Sequence, residues 1–262
     1  MNARSRDDPL VIDLHTHILP GLDDGARTLE ESVAMARSAV ADGIRVMAAT
    51  PHVREDYPTR AAEMERGVGD LRQALAKEGL TLDVRTGGEI ALDRLRTLEA
   101  DELARFGLAG NQSYLLLEFP YYGWPLELET RVLELRATGI IAILAHPERN
   151  AEVQAAPDRL GPVVEEGALV QVTAASLDGR LGRASRGAAF RLLELGLAHL
   201  VASDAHAPDL RAVGMTGAAR AVRDVDLARW LTVDVPAAIV ADKPLPPRPP
   251  ARGGRFGRRL HR

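Results

Sequence analysis

The chain has 262 residues, 46% of them hydrophobic, with a formal charge of -4, so it is long enough to bury the core of one α/β domain and carries no general attraction for nucleic acid or membrane. It has no cysteine, which excludes disulfides, thiolate metal sites and every cysteine-nucleophile mechanism of ester hydrolysis. No run of fifteen apolar residues occurs, and the stretch Met1 to Pro9 carries Arg4, Arg6, Asp7 and Asp8 in place of an apolar signal core, so a cytoplasmic protein without a transmembrane segment is expected.

Along the chain, short β-rich apolar runs alternate with stretches of helical period, the pattern of parallel strands joined by helices. Seven strands are predicted: Leu10 to Leu14, Arg45 to Ala49, Leu82 to Thr86, Ser113 to Glu118, Ile140 to Ala145, Leu169 to Thr173, and His199 to Ser203. The first helix opens on Thr28 with Glu31 three residues on, a capping box, and ends near Gly43. Further helices are predicted over about Arg60 to Glu78, Asp93 to Arg105, Glu127 to Thr138, Arg159 to Glu166, Ser185 to Leu195 and Val213 to Val222. Gly79, Gly139, Gly167 and Gly196 serve as terminators. Residues 1–243 are read as one domain. Residues 244–262, rich in proline and then in arginine (Arg248, Arg252, Arg255, Arg258, Arg259, Arg262), are expected to be a disordered basic tail. That tail is either simply solvated or in contact with a membrane-bound or acidic partner.

The polar residues fall at the C-terminal ends of the strands. Strand one runs into Asp13-Leu14-His15-Thr16-His17, strand two into Thr50-Pro51-His52, and strand three into Gly87-Gly88-Glu89. Strand four ends on Glu118, strand five on His146-Pro147-Glu148-Arg149, and strand seven on Ser203-Asp204-Ala205-His206. In a parallel α/β barrel these ends converge on one face, where sites are built from several strands. Alternate residues on a strand point the same way, so His15 and His17, or Asp204 and His206, can reach one cation. Imidazoles with carboxylates suit zinc, iron or manganese, and a carboxylate such as Glu89 can bridge two ions. Two cations roughly 3.5–4 Å apart can activate a water and neutralise a phosphoryl group, so that hydroxide attacks phosphorus directly. Arg149 and Arg211 are candidate phosphate clamps, because guanidinium pairs bidentately with phosphate oxygens. The turn Gly21-Leu22-Asp23-Asp24-Gly25 lacks the spacing of a calcium loop and reads as a turn carrying one metal ligand. His199, at the start of a strand, and His261, in the tail, are read as structural or solvated.

These motifs resemble the polymerase-and-histidinol-phosphatase (PHP) superfamily, and more closely its bacterial tyrosine-protein phosphatases of capsule and exopolysaccharide operons, the CpsB/CapC type. The matching pieces span residues 11 to about 240. The resemblance implies a distorted (β/α)7 barrel and a three-metal site, usually described as manganese-dependent, with iron or zinc as other occupants. It assigns His15, His17, Glu89 and Asp204 to the first ion, with Glu89 bridging to a second held by Glu118 and His146. Asp24, His52 and His206 go to the third, and Arg149 and Arg211 to the phosphate. His52, His206 or a metal-bound water is expected to protonate the leaving phenolate. The expected substrate is phosphotyrosine on a tyrosine autokinase of polysaccharide synthesis. A small-molecule phosphomonoesterase of the histidinol phosphatase kind, a phosphodiesterase, or a non-catalytic kinase-docking protein are the competing expectations.

Overall fold

Continuous apolar runs such as Leu115-Leu116-Leu117 and Ile141-Ala142-Ile143-Leu144 suit strands covered on both faces. In the computed structural model, which describes residues 11–209 and 212–250, nine strands form among them. They are β1 (Val11–Thr16), β2 (Ile44–Ala49), β3 (His52–Val53), β4 (Asp83–Arg85), β5 (Glu89–Ala91), β6 (Tyr114–Glu118), β7 (Ile141–Ala145), β8 (Leu169–Thr173) and β9 (Leu200–Ala202). All pairings are parallel, in the orders β1-β2-β4 and β3-β5-β6-β7-β8-β9.

Two strands more than expected arise because two staves are interrupted. β2 stops at Ala49 and resumes as β3 after Thr50-Pro51, where proline offers no N–H to a ladder. β4 stops at Arg85 and resumes as β5 after Gly87-Gly88, where a Cβ on Gly88 would lie 2.6 Å from the Phe106 ring. Since β2 pairs with β4 and β3 with β5, seven staves run in chain order. The circuit closes at an isolated parallel bridge, Thr16 to Ala205, where the His17 N–H donates to Ala205 O (2.8 Å) and the Asp204 N–H to His15 O (2.8 Å). The fold is a distorted (β/α)7 barrel with one irregular seam.

The helices are α1 (Leu29–Asp42), α2 (Ala61–Lys77), α3 (Ala100–Arg105), α4 (Leu128–Ala137), α5 (Ala151–Ala155), α6 (Gly161–Glu165), α7 (Ala174–Asp178), α8 (Gly182–Glu194), α9 (Met215–Val222), α10 (Val225–Arg229) and α11 (Val235–Val240). Thr28 caps α1, its hydroxyl accepting the Glu31 N–H at 3.3 Å, and Gly43 ends it in the left-handed region. The box is shifted by one residue, because the Glu31 carboxylate accepts the Arg27 N–H (2.9 Å) rather than that of Thr28. The helix expected over Asp93 to Arg105 is two pieces, a 3-10 turn at Leu92–Arg96 and α3, with the Thr97 hydroxyl bonded back to Arg94 O between them. Pro162, in the first turn of α6, likewise separates that helix from the 3-10 turn at Pro157–Leu160. None of the helices among the described residues is long and apolar enough to cross a membrane.

Within the segment expected as tail, Pro246 and Arg248 contact the rest of the chain. Trp230 donates its indole N–H to Pro246 O (3.0 Å). The Arg248 guanidinium lies over the same indole and donates to Leu193 O in the last turn of α8 and to Ala198 O in the segment before β9. A cation beside the last-turn carbonyls of a helix is favourable. The remaining tail, residues 251–262, lies outside the described residues.

His199, in front of β9, accepts the Val170 N–H on Nδ1 (3.1 Å), a bond open only to neutral imidazole. Burial, aided by Arg248, pushes its pKa down from 6.5 to about 4. The unfolded chain therefore takes up this proton near pH 6.5, whereas the folded protein resists until about 4. Stability from this group is full above pH 6.5 and falls as pH drops toward 4, by about 3 kcal/mol in all. Urea denaturation at stepped pH should show that slope flattened in His199→Asn, whose amide oxygen can still accept from Val170. Equal slopes in the two proteins would remove His199 as the cause.

Candidate metal centre

β1 delivers His15 and His17 to the same side with Thr16 facing the other way, where its N–H and hydroxyl bond Thr50 Oγ1 (3.0 Å) and Ala48 O (2.8 Å). Both histidines are fully buried. The His15 Nδ1 meets Gln171 Oε1 at 3.0 Å and the His17 Nδ1 meets Asp23 Oδ2 at 2.6 Å. Each partner is an acceptor, so each Nδ1 carries the proton and each Nε2 a lone pair. Those two Nε2 atoms stand 3.2 Å apart. Two lone pairs cannot hydrogen-bond one another, but they can share a cation.

Carboxylate oxygens complete the group. Glu89 Oε2 lies 3.4 Å from His15 Nε2 and 3.4 Å from His17 Nε2. Asp204 Oδ1 lies 3.4 Å from the first and 3.3 Å from the second. Donors at about 2.0 Å from a common centre in tetrahedral array stand about 3.3 Å from one another, so the group of His15, His17 and Glu89 fits a divalent cation, with Asp204 Oδ1 at the same spacing from both imidazoles.

Glu89, buried and carried at the start of β5 by the Gly87-Gly88 break, also contacts two further imidazoles. His52 Nδ1 lies 2.9 Å from its Oε2 and His146 Nε2 lies 2.7 Å from its Oε1. Neither Glu89 Oε2, His52 Nδ1 nor His146 Nδ1 makes a well-aligned hydrogen bond, which is the condition of atoms suited to a metal. Burial by itself would push the Glu89 carboxyl up, but His15, His146 and His52 bring it well below the usual range. Asp204 follows the same logic with His15 and His17. Glu118 goes the other way, raised by burial and by the neighbouring Glu89 charge.

The outer group consists of Asp24, His52 and His206, with His17 at its edge. Asp24 Oδ1 lies 3.2 Å from His206 Nε2 and 3.5 Å from His52 Nε2. A hydrogen bond from His206 holds the Asp24 carboxyl far below its ordinary value. His206 Nδ1 meets Asp204 O at 2.9 Å, again leaving Nε2 as the ligand atom. His52 also groups with Glu89 and Glu118, so it stands between two of the expected ion sites rather than in one.

The structure separates Asp23 from Asp24. Asp23 is an orienting residue: besides His17 it accepts the Gly25 N–H (2.9 Å) and the His52 N–H (3.0 Å). Gly25 is required in this turn, since a Cβ there would lie 2.0 Å from His17 O. Glu148, of the His-Pro-Glu-Arg motif, is fully buried and accepts from Thr173 N–H and Ser176 Oγ, so it anchors the loop and stays outside the cluster. Arg149 donates to Asp204 Oδ2 (2.5 Å) and lies over the Tyr121 ring. Arg211, the other expected clamp, lies outside the described residues. Residues that the sequence did not single out are Gln171, Asp23 in its orienting part, and Arg54, which donates to Glu118 Oε1 at 2.7 Å. A glutamine inside the apolar strand Leu-Val-Gln-Val-Thr was the one visible signal among them.

The family described as "Capsular polysaccharide synthesis, CpsB/CapC" matches residues 11–240. The chain belongs to the CpsB/CapC family. The tyrosine-protein phosphatase YwqE of Bacillus subtilis is 40% identical over 198 residues, 75% of this chain and 77% of that relative. The tyrosine-protein phosphatase CpsB of Streptococcus pneumoniae is 27% identical over 244 residues, 89% of this chain and 99% of that relative. A crystal structure from work on YwqE and CpsB as metal-dependent tyrosine phosphatases superposes with a TM-score of 0.82 at 33% identity, covering 92% of this chain and 100% of that one. The residues matched by the family include the whole histidine and carboxylate cluster.

Asp23→Ala removes the acceptor that fixes the His17 tautomer. It should weaken divalent-metal binding about 10- to 100-fold with little change in the fold, as read by calorimetric titration and circular dichroism. Unchanged affinity would show that His17 is oriented by other contacts.

Proposed function

We propose that this chain is a metal-dependent protein-tyrosine phosphatase that hydrolyses phosphotyrosine on a bacterial tyrosine autokinase of polysaccharide synthesis, with manganese as its working metal, in the cytoplasm. The carrying observation is the buried donor group of His15, His17 and Glu89, with Asp204 beside both imidazoles and their Nε2 lone pairs turned inward, in a chain of the CpsB/CapC family. We assign His15, His17, Glu89 and Asp204 to one ion, Glu89, Glu118 and His146 to a second, and Asp24, His52 and His206 to a third, with His52 near enough to the second group to contribute there. Manganese, iron and zinc accept this mixture of nitrogen and oxygen donors, so the choice of manganese rests on the family resemblance.

Bound divalent ions would supply Lewis acidity and a nucleophile drawn from water at neutral pH. The chain supplies the rest. Arg149 keeps one bond to Asp204, and a guanidinium with five N–H donors has others left for phosphate oxygens, a role it would share with Arg211. Asp23 and Gln171 hold the imidazole tautomers. His52 and His206 each have both ring nitrogens directed at a carboxylate or carbonyl. They therefore serve better as ligands than as proton donors, and the leaving phenolate takes its proton from water. The donor group also fits a phosphatase for small esters or a phosphodiesterase, which only turnover on defined substrates separates from the protein phosphatase.

With saturating manganese the protein should hydrolyse a phosphotyrosyl peptide, lose activity on chelation and regain it when manganese returns. Equal or faster turnover of a small monoester such as histidinol phosphate would overturn the protein-phosphatase reading. Tight kinase binding without turnover would favour the docking reading.

The roles separate by substitution. His146→Ala should lower bound metal and abolish activity. Arg149→Ala should keep the metal and lower kcat/KM roughly 10- to 100-fold, the worth of one lost hydrogen bond to a charged group. Elemental analysis alongside kinetics reads both, and the reverse pattern would exchange the two assignments.

A further inference from the structure

Two tyrosines stand at the mouth in matching positions. The Tyr57 ring stacks on His52, with centroids 5.8 Å apart and planes at 16°, and the Tyr121 ring stacks on His146 at 5.7 Å and 16°. Those imidazoles sit on opposite oxygens of one carboxylate, Glu89. Each tyrosine also carries a guanidinium over its ring, Arg54 at 5.2 Å and Arg149 at 4.7 Å. Each of these arginines is tied in turn to a carboxylate of the cluster, Arg54 to Glu118 and Arg149 to Asp204. The same unit, imidazole, tyrosine, arginine and carboxylate, is thus built twice, its tyrosines carried by the loops that follow β3 and β6.

Both loops are held. Around Tyr57, the Arg54 and Thr59 amides donate to Tyr57 O (3.0 and 2.8 Å), and Val53 bridges Pro58. Around Tyr121, the Ala151 N–H donates to Tyr121 O (3.1 Å), and the Asn150 amide reaches Pro120 O and Gly123 O. The rings keep exposed surface nonetheless, Tyr121 at 38% and Tyr57 half-buried. Aromatic side chains so fixed offer contact area at little entropic cost.

In an aryl phosphate the ring begins at the ester oxygen, so a phosphoryl group held at the cluster brings the phenyl ring to the walls of the mouth. An alkyl phosphate brings only a methylene. We infer that Tyr57 and Tyr121 are the aromatic walls that receive the substrate's phenyl ring and set a preference for aryl over alkyl phosphate esters, an assignment that rests on the phosphatase reading above. Ring pairs with centroids 4.5–7 Å apart are worth about 0.5–1.5 kcal/mol beyond buried area, or roughly 2- to 10-fold per wall.

The experiment compares the manganese-loaded wild type with Tyr57→Leu, Tyr121→Leu and the two Phe variants. It uses a phosphotyrosyl peptide, phenyl phosphate and glycerol phosphate as substrates, calorimetric binding of a hydrolysis-resistant phosphonomethyl-phenylalanine peptide, and metal content. Each Leu variant should lower kcat/KM for both aryl esters roughly 2- to 10-fold, chiefly through KM, and weaken phosphonate binding by the same factor. Glycerol phosphate turnover and bound metal should not change, and the Phe variants should match the wild type. Equal losses on aryl and alkyl esters, or loss of metal, would show that the rings merely support the imidazoles and would overturn the assignment, as would no loss of any kind. A wild type that turns over glycerol phosphate as fast as phenyl phosphate would defeat the phosphotyrosine reading instead, and phosphonate binding would still decide the role of the rings.

Discussion

A carboxylate buried completely in the interior of the barrel governs the arrangement of everything around it. Glu89 has no access to water, and an uncompensated charge there would cost several kcal/mol. Four imidazoles, those of His15, His17, His52 and His146, stand within 3.4 Å of its oxygens. Its location follows from backbone chemistry, since the glycines at 87 and 88 permit the step between β4 and β5 and Pro51 O receives the Glu89 N–H at 3.0 Å. Two interrupted staves therefore belong with the site, as the means by which a sheet delivers a carboxylate inward.

Backbone strain is placed at the same face. His146 and Asp204 are non-glycine residues with positive φ, 41° and 52°, a conformation that costs of order 1 kcal/mol or more and persists only where the surroundings impose it. His146 follows β7 directly and Asp204 stands two residues past β9. Their amides show what imposes it, because the His146 N–H donates to Gln171 O (2.9 Å) and the Asp204 N–H to His15 O (2.8 Å), each on the neighbouring stave. The barrel seam at Thr16 and Ala205 is thus closed by residues next to proposed ligands, and ligand geometry and seam geometry are one constraint.

Much of this was legible in the sequence because strand periodicity is rigid. His-x-His and Asp-x-His at strand ends can only present both side chains on one side, and apolar runs of four or five bounded by glycine have few other readings. Hydrogen-bond partners are another matter. Asp23 and Asp24 are neighbours of identical chemistry, and only the turn made possible by Gly25 decides that one orients His17 and His52 while the other lies beside His206. Arg54 and Tyr57 lie in a polar loop with no period to place them, and their relation to Glu118 and His52 depends on contacts across the barrel. The helix expected over Asp93 to Arg105 misled for a similar reason, since a local competitor for the backbone, the Thr97 hydroxyl, outweighed the average propensity of the segment.

The charge balance at the mouth links phosphate recognition to metal loading. Asp24, Glu89, Glu118 and Asp204 converge where a phosphate must enter, and without added cations the field there repels a dianion. Arg54 and Arg149 do not reverse that field, because each is already engaged by a carboxylate of the cluster. They remain useful because a guanidinium engaged through one edge still has donors on another, so pairing fixes their position without exhausting them. Divalent ions taking up the carboxylate charge would convert the same set of residues from one that excludes phosphate to one that attracts it. Substrate affinity should therefore rise with metal occupancy through electrostatics.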